Sequence, residues 1–176
     1  MAAEQLLIQY PIALEIIKSW KEQNILYHLD KDEDVYSVLF PHLNALTEDD
    51  IHVLRHNTDF LRLVTEAFPI VMLYYGMLYS DTGFQILNEV RFLILFVRGV
   101  WIPTQIDEEE EPKENPQLEA PRKEHVRIAR MLHLLSALQL TYQYESLKDF
   151  AFQQATDYPD EIALETVELW KSSFVP

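Results

Sequence analysis

Two histidines placed four residues apart are the first feature of this chain that could support chemistry. His52 and His56 fall in a stretch with helical periodicity, and Asp59 follows closely. Side chains four apart share one face of a helix, where two imidazoles can bind a metal ion. The stretch lacks the glutamate of a His-Glu-x-x-His motif and offers no obvious third ligand. We therefore favour solvated or helix-capping histidines, and a metal-dependent enzyme using His52 and His56 is an alternative.

A basic cluster is the second candidate. Four of the 14 Lys and Arg residues lie close together, at Arg122, Lys123, Arg127 and Arg130. The last three are spaced i, i+4, i+7, so they share one face of a predicted helix. Such a face can hold a carboxylate, for example the C-terminus of a peptide or an acidic partner. We favour internal salt bridging for most of this face, either with the acidic run that precedes the cluster or with Glu161 and the glutamates that follow it, and the carboxylate site is the alternative.

The residue types that most enzymes need are missing or scattered. The chain has no cysteine and only 3 glycines. It therefore has no thiolate nucleophile and no disulfide, and it cannot build a glycine-rich phosphate loop. No serine lies in a Gly-x-Ser-x-Gly motif, and the acidic run lacks the alternating pattern of an EF-hand. We predict that the protein is not an enzyme and uses no cofactor.

Charge and hydropathy restrict the partners. The formal net charge is -15, to which the acidic run Asp107–Glu111 contributes strongly. This charge repels a phosphate backbone and an anionic membrane surface, so we expect no nucleic-acid binding. The longest near-apolar stretch, Ala67–Tyr79, is shorter than the roughly 20 residues that a transmembrane helix needs. Without a secretory signal, we expect an intracellular protein, cytoplasmic or nuclear, with no transmembrane segment.

The apolar periodicity predicts an all-α fold. We predict a single helical domain over residues 1–176, with its core at about residues 16–156. The domain would be a bundle of about seven or eight helices, since long Leu-rich periodic stretches occur with few glycines. Residues 103–121 hold several prolines and the acidic run, so a flexible acidic loop is predicted there.

Local signals predict several helix boundaries. Thr47 and Asn57 are predicted N-caps, and Pro159 is predicted in the first turn of the last helix. An almost entirely apolar helix from Phe84 to Ile102 is predicted at the centre of the bundle, and no strand is predicted. The clearest amphipathic helix is predicted from Lys123 to Leu140.

Three blocks of sequence, in order, resemble one family. The blocks are Ile16–Trp20 with Asp34–Pro41, then Leu46–Gly76, then His125–Leu132. The second block contains Leu-Thr-Glu-Asp-Asp-Ile and Phe-Pro-Ile-Val-Met-Leu-Tyr-Tyr-Gly, and the third is His-Val-Arg-Ile-Ala-Arg-Met-Leu. In this order they resemble the conserved region of opioid growth factor receptors, of which the chain looks like a divergent member. Val38 stands where the family usually has tryptophan, and Gln139 and Leu140 occupy the region where the family usually has a Leu-Gly step, so the glycine is missing.

The resemblance implies an all-helical domain with opioid growth factor receptor activity, and peripheral membrane association of the kind known at the nuclear periphery. The third block also contains Arg127 and Arg130 of the basic cluster. Charge and position together make His125, Arg127 and Arg130 the candidate binding residues. We expect a non-enzymatic domain that binds a peptide or protein in a groove between helices. A structural subunit that associates with a copy of itself is a further alternative.

Overall fold

The protein is mostly helical. The structure, a computed structural model, describes residues 2–100 and 120–176. Within these ranges, 69% of the chain is helical, in eight helices beside a two-stranded hairpin. The all-α prediction is therefore confirmed. Residues 103–119 of the predicted acidic loop lie outside the described residues.

The elements follow one another with short connections. In chain order they are α1 (Ala3–Glu22), a 3-10 turn (Leu26–Asp30), α2 (Glu33–Leu39), α3 (Glu48–Arg55), α4 (Thr58–Tyr74), β1 (Met77–Ser80), β2 (Gly83–Ile86), α5 (Glu89–Arg91), a π-helix (Phe92–Val97), α6 (Lys123–Ala137), α7 (Thr141–Asp157) and α8 (Leu164–Ser172). Among the described residues, no helix has the length and apolar character needed to cross a membrane.

Side-chain caps set the starts of α3 and α4, as predicted. Thr47 accepts a hydrogen bond from the backbone N–H of Asp50, whose carboxylate accepts one from the N–H of Thr47. The other oxygen of that carboxylate accepts a bond from the N–H of Ala3 at 3.0 Å. Asn57 caps α4 through the N–H of Phe60 at 2.9 Å. The capping carboxylate of α3 therefore also anchors the start of α1.

The predicted central helix from Phe84 to Ile102 is wrong in its first part. Residues Gly83–Ile86 pair antiparallel with β1, in a register that places Tyr79 opposite Phe84. Phe84 packs among aromatic rings instead of continuing a helix, with its ring centroid 5.1 Å from that of Tyr79. Asn88 then caps α5, which leads into the π-helix. Tertiary aromatic packing has overridden the local apolar pattern.

Two helix ends also differ from prediction. The last helix begins at Leu164 and not at Pro159, which lies in a turn before it. Helix α6 ends at Ala137, and the chain then turns through Gln139 with a φ of 56°. The N–H of Leu140 donates to the carbonyl of residue 135, which completes a Schellman motif. Gln139 thus takes the backbone conformation for which glycine is the usual residue.

Helix α6, not the apolar stretch before it, is the central helix. Buried hydrophobic residues from α1 through α8 form one cluster, and 12 of the 15 residues of α6 are buried. The sequence pattern predicted an amphipathic helix, with internal salt bridging as one interpretation of its basic positions. Glu124, Arg127 and Arg130 are buried, because their charged groups bond to each other and to α2.

Candidate functional site

The three predicted binding residues all lie on α6 and are buried. His125 is 1% exposed, Arg127 is 1% exposed and Arg130 is 3% exposed. Internal salt bridging, one of the two interpretations of the basic face, is what the structure shows for Arg127 and Arg130. Whether these residues contact a ligand stays a prediction.

A buried glutamate lies at the centre of the network around Arg127. Glu124 is fully buried, and its two carboxylate oxygens accept hydrogen bonds from the hydroxyls of Tyr74 at 3.0 Å and Tyr75 at 2.8 Å. The Nη1 of Arg127 also donates to this carboxylate at 3.0 Å. Burial raises the pKa of Glu124 above its usual value, although Arg127 and the two hydroxyls oppose that effect. The charged pair and its hydroxyls connect α6 to the end of α4.

A second carboxylate bridges two arginines at the edge of the same network. Glu33 lies 2.9 Å from Nη2 of Arg127 and 2.7 Å from Nη1 of Arg130. Its side chain is 49% exposed, whereas those of the arginines are 1% and 4% exposed. Partial burial raises the pKa of Glu33, but the hydrogen bonds and charges of Arg130 and Arg127 outweigh it and lower the pKa to about 2. This carboxylate ties α2 to α6.

The two arginines have further partners that hold them in place. Arg130 donates through Nε to the carbonyl of Phe40 at 2.9 Å and through Nη2 to Oγ of Ser37 at 3.0 Å. The guanidinium of Arg127 lies over the ring of Tyr36, 4.2 Å from its centroid. Its Nε is buried without a hydrogen-bond partner. The cation–π contact adds a favourable interaction for the buried charge of Arg127.

His125 of α6 forms hydrogen bonds with the end of the π-helix. Its Nε2 lies 2.9 Å and 3.0 Å from the carbonyl oxygens of Phe96 and Val97. Carbonyls only accept, so Nε2 carries the proton, and the buried Nδ1 has no hydrogen-bond partner. Burial lowers the pKa of His125 to about 4. The indole N–H of Trp170 donates to the carbonyl of His125 at 2.9 Å, which adds α8 to the same contact. His125 therefore joins the π-helix, α6 and α8, and its lowered pKa favours the neutral ring near pH 7.

The remaining members of the basic cluster also pair internally. Arg122 donates to Glu161 at 3.1 Å, the partner suggested by the sequence, and to the carbonyl of Arg98 at 2.7 Å. Lys123 lies 3.3 Å from the carboxylate of Asp30. Together with Arg127 and Arg130, every residue of the cluster therefore bonds to another part of the chain.

The histidine pair shows no metal-site geometry. The rings of His52 and His56 lie 4.4 Å apart, and Nδ1 of His56 is 2.8 Å from the carbonyl of His52. Across residues 2–100 and 120–176, no three His, Cys, Asp or Glu side chains are grouped to hold a metal ion. The arrangement of the two rings fits local hydrogen bonding at the end of α3.

An exposed apolar surface on α1 is the feature that sequence reasoning missed. Ile8 is 69% exposed and Ile12 is 59% exposed. With Pro11 and the half-buried Ile16 they form the α1 ridge, beside a shallow depression that also includes Glu15. The sequence does contain the signal, because Ile8, Ile12 and Ile16 recur every four residues on the side opposite the buried stripe.

One flank of the α1 ridge is acidic. Glu4, Glu15 and Glu22 are exposed and are spaced by about three and about two helical turns, so they share one side of α1. Lys18 lies near the same flank, 3.5 Å from Glu15 and 3.2 Å from Glu66 of α4. An apolar strip beside a row of carboxylates is therefore presented to solvent.

No family model, curated protein or solved structure matches this chain. The class that the fold defines is an all-α multi-helix domain. The resemblance to the conserved region of opioid growth factor receptors stays a prediction.

Proposed function

We propose that this chain is a non-enzymatic protein-binding domain, and that the α1 ridge binds an amphipathic helix with basic side chains. Kinship with the opioid growth factor receptors, and the receptor activity that it implies, are part of the proposal. The observation that carries it is the exposure of Ile8 and Ile12 on a helix whose other face is built into the core.

Apolar burial supplies the affinity in this proposal. Ile8 and Ile12 keep more than half of their surface in water, at 69% and 59%. Fully burying an isoleucine side chain contributes roughly 1.5–3 kcal/mol relative to leaving it exposed. The four-residue spacing forms an apolar ridge that runs obliquely along α1, and the apolar face of a second helix can pack against such a ridge.

The negative charge beside the α1 ridge favours a partner helix with basic side chains. The acidic flank of Glu4, Glu15 and Glu22 lies beside the apolar row, on a chain whose formal net charge is -15. A partner helix with lysines or arginines on the corresponding side gains favourable contacts and a faster association rate.

A second copy of the chain fits this surface less well. An antiparallel twofold pairing centred on Ile12 would place the two acidic flanks side by side. Glu4 of one copy would then lie close to Glu22 of the other, because the two residues are nearly equidistant from Ile12. Like charges in contact disfavour such a pair.

The proposal is tested with two designed helical peptides that share one leucine row, one flanked by lysines and the other by glutamates. We expect the lysine peptide to bind and the glutamate peptide not to bind. Replacing both Ile8 and Ile12 by Ser should weaken binding of the lysine peptide at least tenfold, which corresponds to about 1.4 kcal/mol. Titration calorimetry measures both affinities.

The matched control replaces two exposed apolar residues elsewhere, Val53 at 49% exposure and Leu164 at 72%. That variant should bind the lysine peptide as the parent protein does. Equal losses in the two variants, or equal binding of both peptides, would overturn the proposal. A concentration-dependent dimer that the Ile8 and Ile12 substitutions abolish would show that a second copy occupies the ridge instead.

A further inference from the structure

We propose that Arg127 and Arg130 form a carboxylate-binding site that the chain fills with its own Glu33. A carboxylate from outside the chain would bind between the two arginines when the Glu33 side chain rotates into solvent. This inference is independent of the α1 ridge and uses the buried network on α6.

The site is held in place without Glu33. Arg127 keeps its bond from Nη1 to Glu124 at 3.0 Å and its bond from Nη2 to the carbonyl of Asp30 at 3.2 Å. Arg130 keeps its bonds to the carbonyl of Phe40 and to Ser37. Both guanidinium groups therefore keep hydrogen-bond partners other than Glu33, and Ser37, which also donates to Glu33 at 3.1 Å, offers a further donor to a bound carboxylate.

The charge of the network requires an anion at that point. The bonded cluster contains three cations, Arg127, Arg130 and Lys123, and three anions, Glu33, Glu124 and Asp30. Without Glu33, three cations would face two anions, and the two arginine side chains are only 1% and 4% exposed. An unpaired buried charge is strongly unfavourable, so the vacated position favours any carboxylate that can reach it.

Glu33 is the carboxylate of this network that can leave. Its side chain is 49% exposed, compared with 0% for Glu124 and 6% for Asp30. It is the first residue of α2, a helix of 7 residues whose start is capped by Asp32 through the N–H of Val35. Rotation of the Glu33 side chain therefore opens the position to solvent and leaves the backbone cap intact.

The attached carboxylate competes with any free one. An intramolecular group acts at an effective concentration in the millimolar range or above. A small free carboxylate should therefore bind measurably only when Glu33 is removed. In the unaltered chain, an acidic ligand needs additional contacts to displace it. Glu33 thus acts as an internal competitor.

The test is chemical rescue of Glu33→Ala by sodium formate and sodium acetate, with chloride adjusted to constant ionic strength. We expect Glu33→Ala to have a lower Tm than the parent, and formate or acetate to raise that Tm along a saturating curve. The parent protein should show less than a tenth of this rise. The control is Glu161→Ala, which removes the partner of Arg122 at 3.1 Å and should show no saturating rise.

Equal effects of formate on Glu33→Ala, Glu161→Ala and the parent would overturn the proposal, because they would reflect a general solvent effect. If Glu33→Ala does not fold in chloride, folding in formate alone supports the site. Failure to fold in either salt counts against it. Glu33→Gln serves as a second variant for the same titration. A saturating rise of its Tm in formate supports the site, and the absence of such a rise counts against it.

A second measurement separates a small acid from a peptide carboxylate. Short alanine peptides with a free or an amidated C-terminus are titrated into Glu33→Ala, and the line broadening of the Arg127 and Arg130 side-chain N–H signals is followed. The free peptide should bind at least tenfold tighter than the amidated one. Binding of formate alone assigns the site to small carboxylates, and equal binding of the two peptides rejects a peptide carboxylate there.

Discussion

The Nη1 of Arg127 donates to the carboxylate of Glu124 at 3.0 Å, and both residues lie one turn apart on the same buried helix. Their side chains are 1% and 0% exposed, so the pair lies inside the core. A buried ion pair adds little net stability relative to a well-packed apolar pair, but removal of one partner leaves the other charge without compensation. The central helix of the fold therefore depends on this pair being complete.

Replacement of Glu124 by Ala should destabilise the protein by roughly 3–5 kcal/mol. The change leaves Arg127 with a buried charge and also removes the acceptor for the hydroxyls of Tyr74 and Tyr75. Urea unfolding followed by circular dichroism measures the loss. The control is Glu168→Ala, which breaks a surface pair with Lys171 at 3.7 Å and should cost about 0–1 kcal/mol. Similar losses in the two variants would contradict a buried network that needs Glu124 to balance the charges of its arginines.

Stability should fall as the pH drops from 6.5 towards 4 because of His125. Its pKa is lowered from 6.5 to about 4 in the fold, so in this range the unfolded chain binds a proton that the folded chain does not. Stability therefore rises with pH across the window and is fully present above it. The facing charged groups, Arg122 and Glu161, have opposite effects on this pKa.

The His125 prediction is checked by urea unfolding at a series of pH values for the parent protein and for His125→Gln. The free energy of unfolding of the variant should change less steeply between pH 6.5 and 4. An unchanged slope would mean that other groups cause the pH dependence. Glu33 contributes mainly below this window, because its pKa is lowered to about 2.

Gln139→Gly should raise the stability of the protein. Gln139 has a φ of 56°, a conformation that costs a side-chain-bearing residue roughly 1–2 kcal/mol and glycine much less. Part of that gain is offset by the greater freedom of glycine in the unfolded chain. A matched change in a helix interior, Gln153→Gly in α7, should instead lower stability by about 1 kcal/mol. Thermal unfolding of the two variants should shift Tm in opposite directions.

Gly99→Ala should destabilise the protein more than Gly83→Ala. Both glycines have positive φ, at 78° and 106°, so both substitutions strain the backbone. A Cβ at Gly99 would lie 2.7 Å from the ring of His125, whereas a Cβ at Gly83 meets no atom within 4 Å. The difference between the two losses, expected at about 1–3 kcal/mol, isolates the contact with His125. Equal losses in chemical denaturation would mean that the ring moves aside freely.

Features that depend on local sequence were predictable. The caps at Thr47 and Asn57 were found because a capping side chain bonds to an N–H only three residues away. The end of α6 was displaced by a few residues because a glutamine, and not a glycine, takes the positive φ at residue 139. Local periodicity also predicted the helical class of the fold.

Features that depend on distant partners were not predictable. The hairpin at residues 77–86 exists because Phe84 packs against Tyr79 and against Phe150 of α7, with centroids 5.1 Å and 4.8 Å apart. The arginines of α6 are buried because Glu33 lies beside them, although it is 94 residues away from Arg127 in the chain. A spacing rule within one helix identifies the basic face and cannot show which carboxylate covers it.

The most direct test of the proposed function is a two-dimensional amide NMR titration of the chain with the leucine–lysine helical peptide. Saturable shifts should concentrate between Glu4 and Ser19 of α1, with the largest changes around Ile8 and Ile12. The hairpin and α8 should remain unaffected. Shifts centred on another surface, or no saturable shifts at all, would contradict the proposal that the α1 ridge binds a basic amphipathic helix.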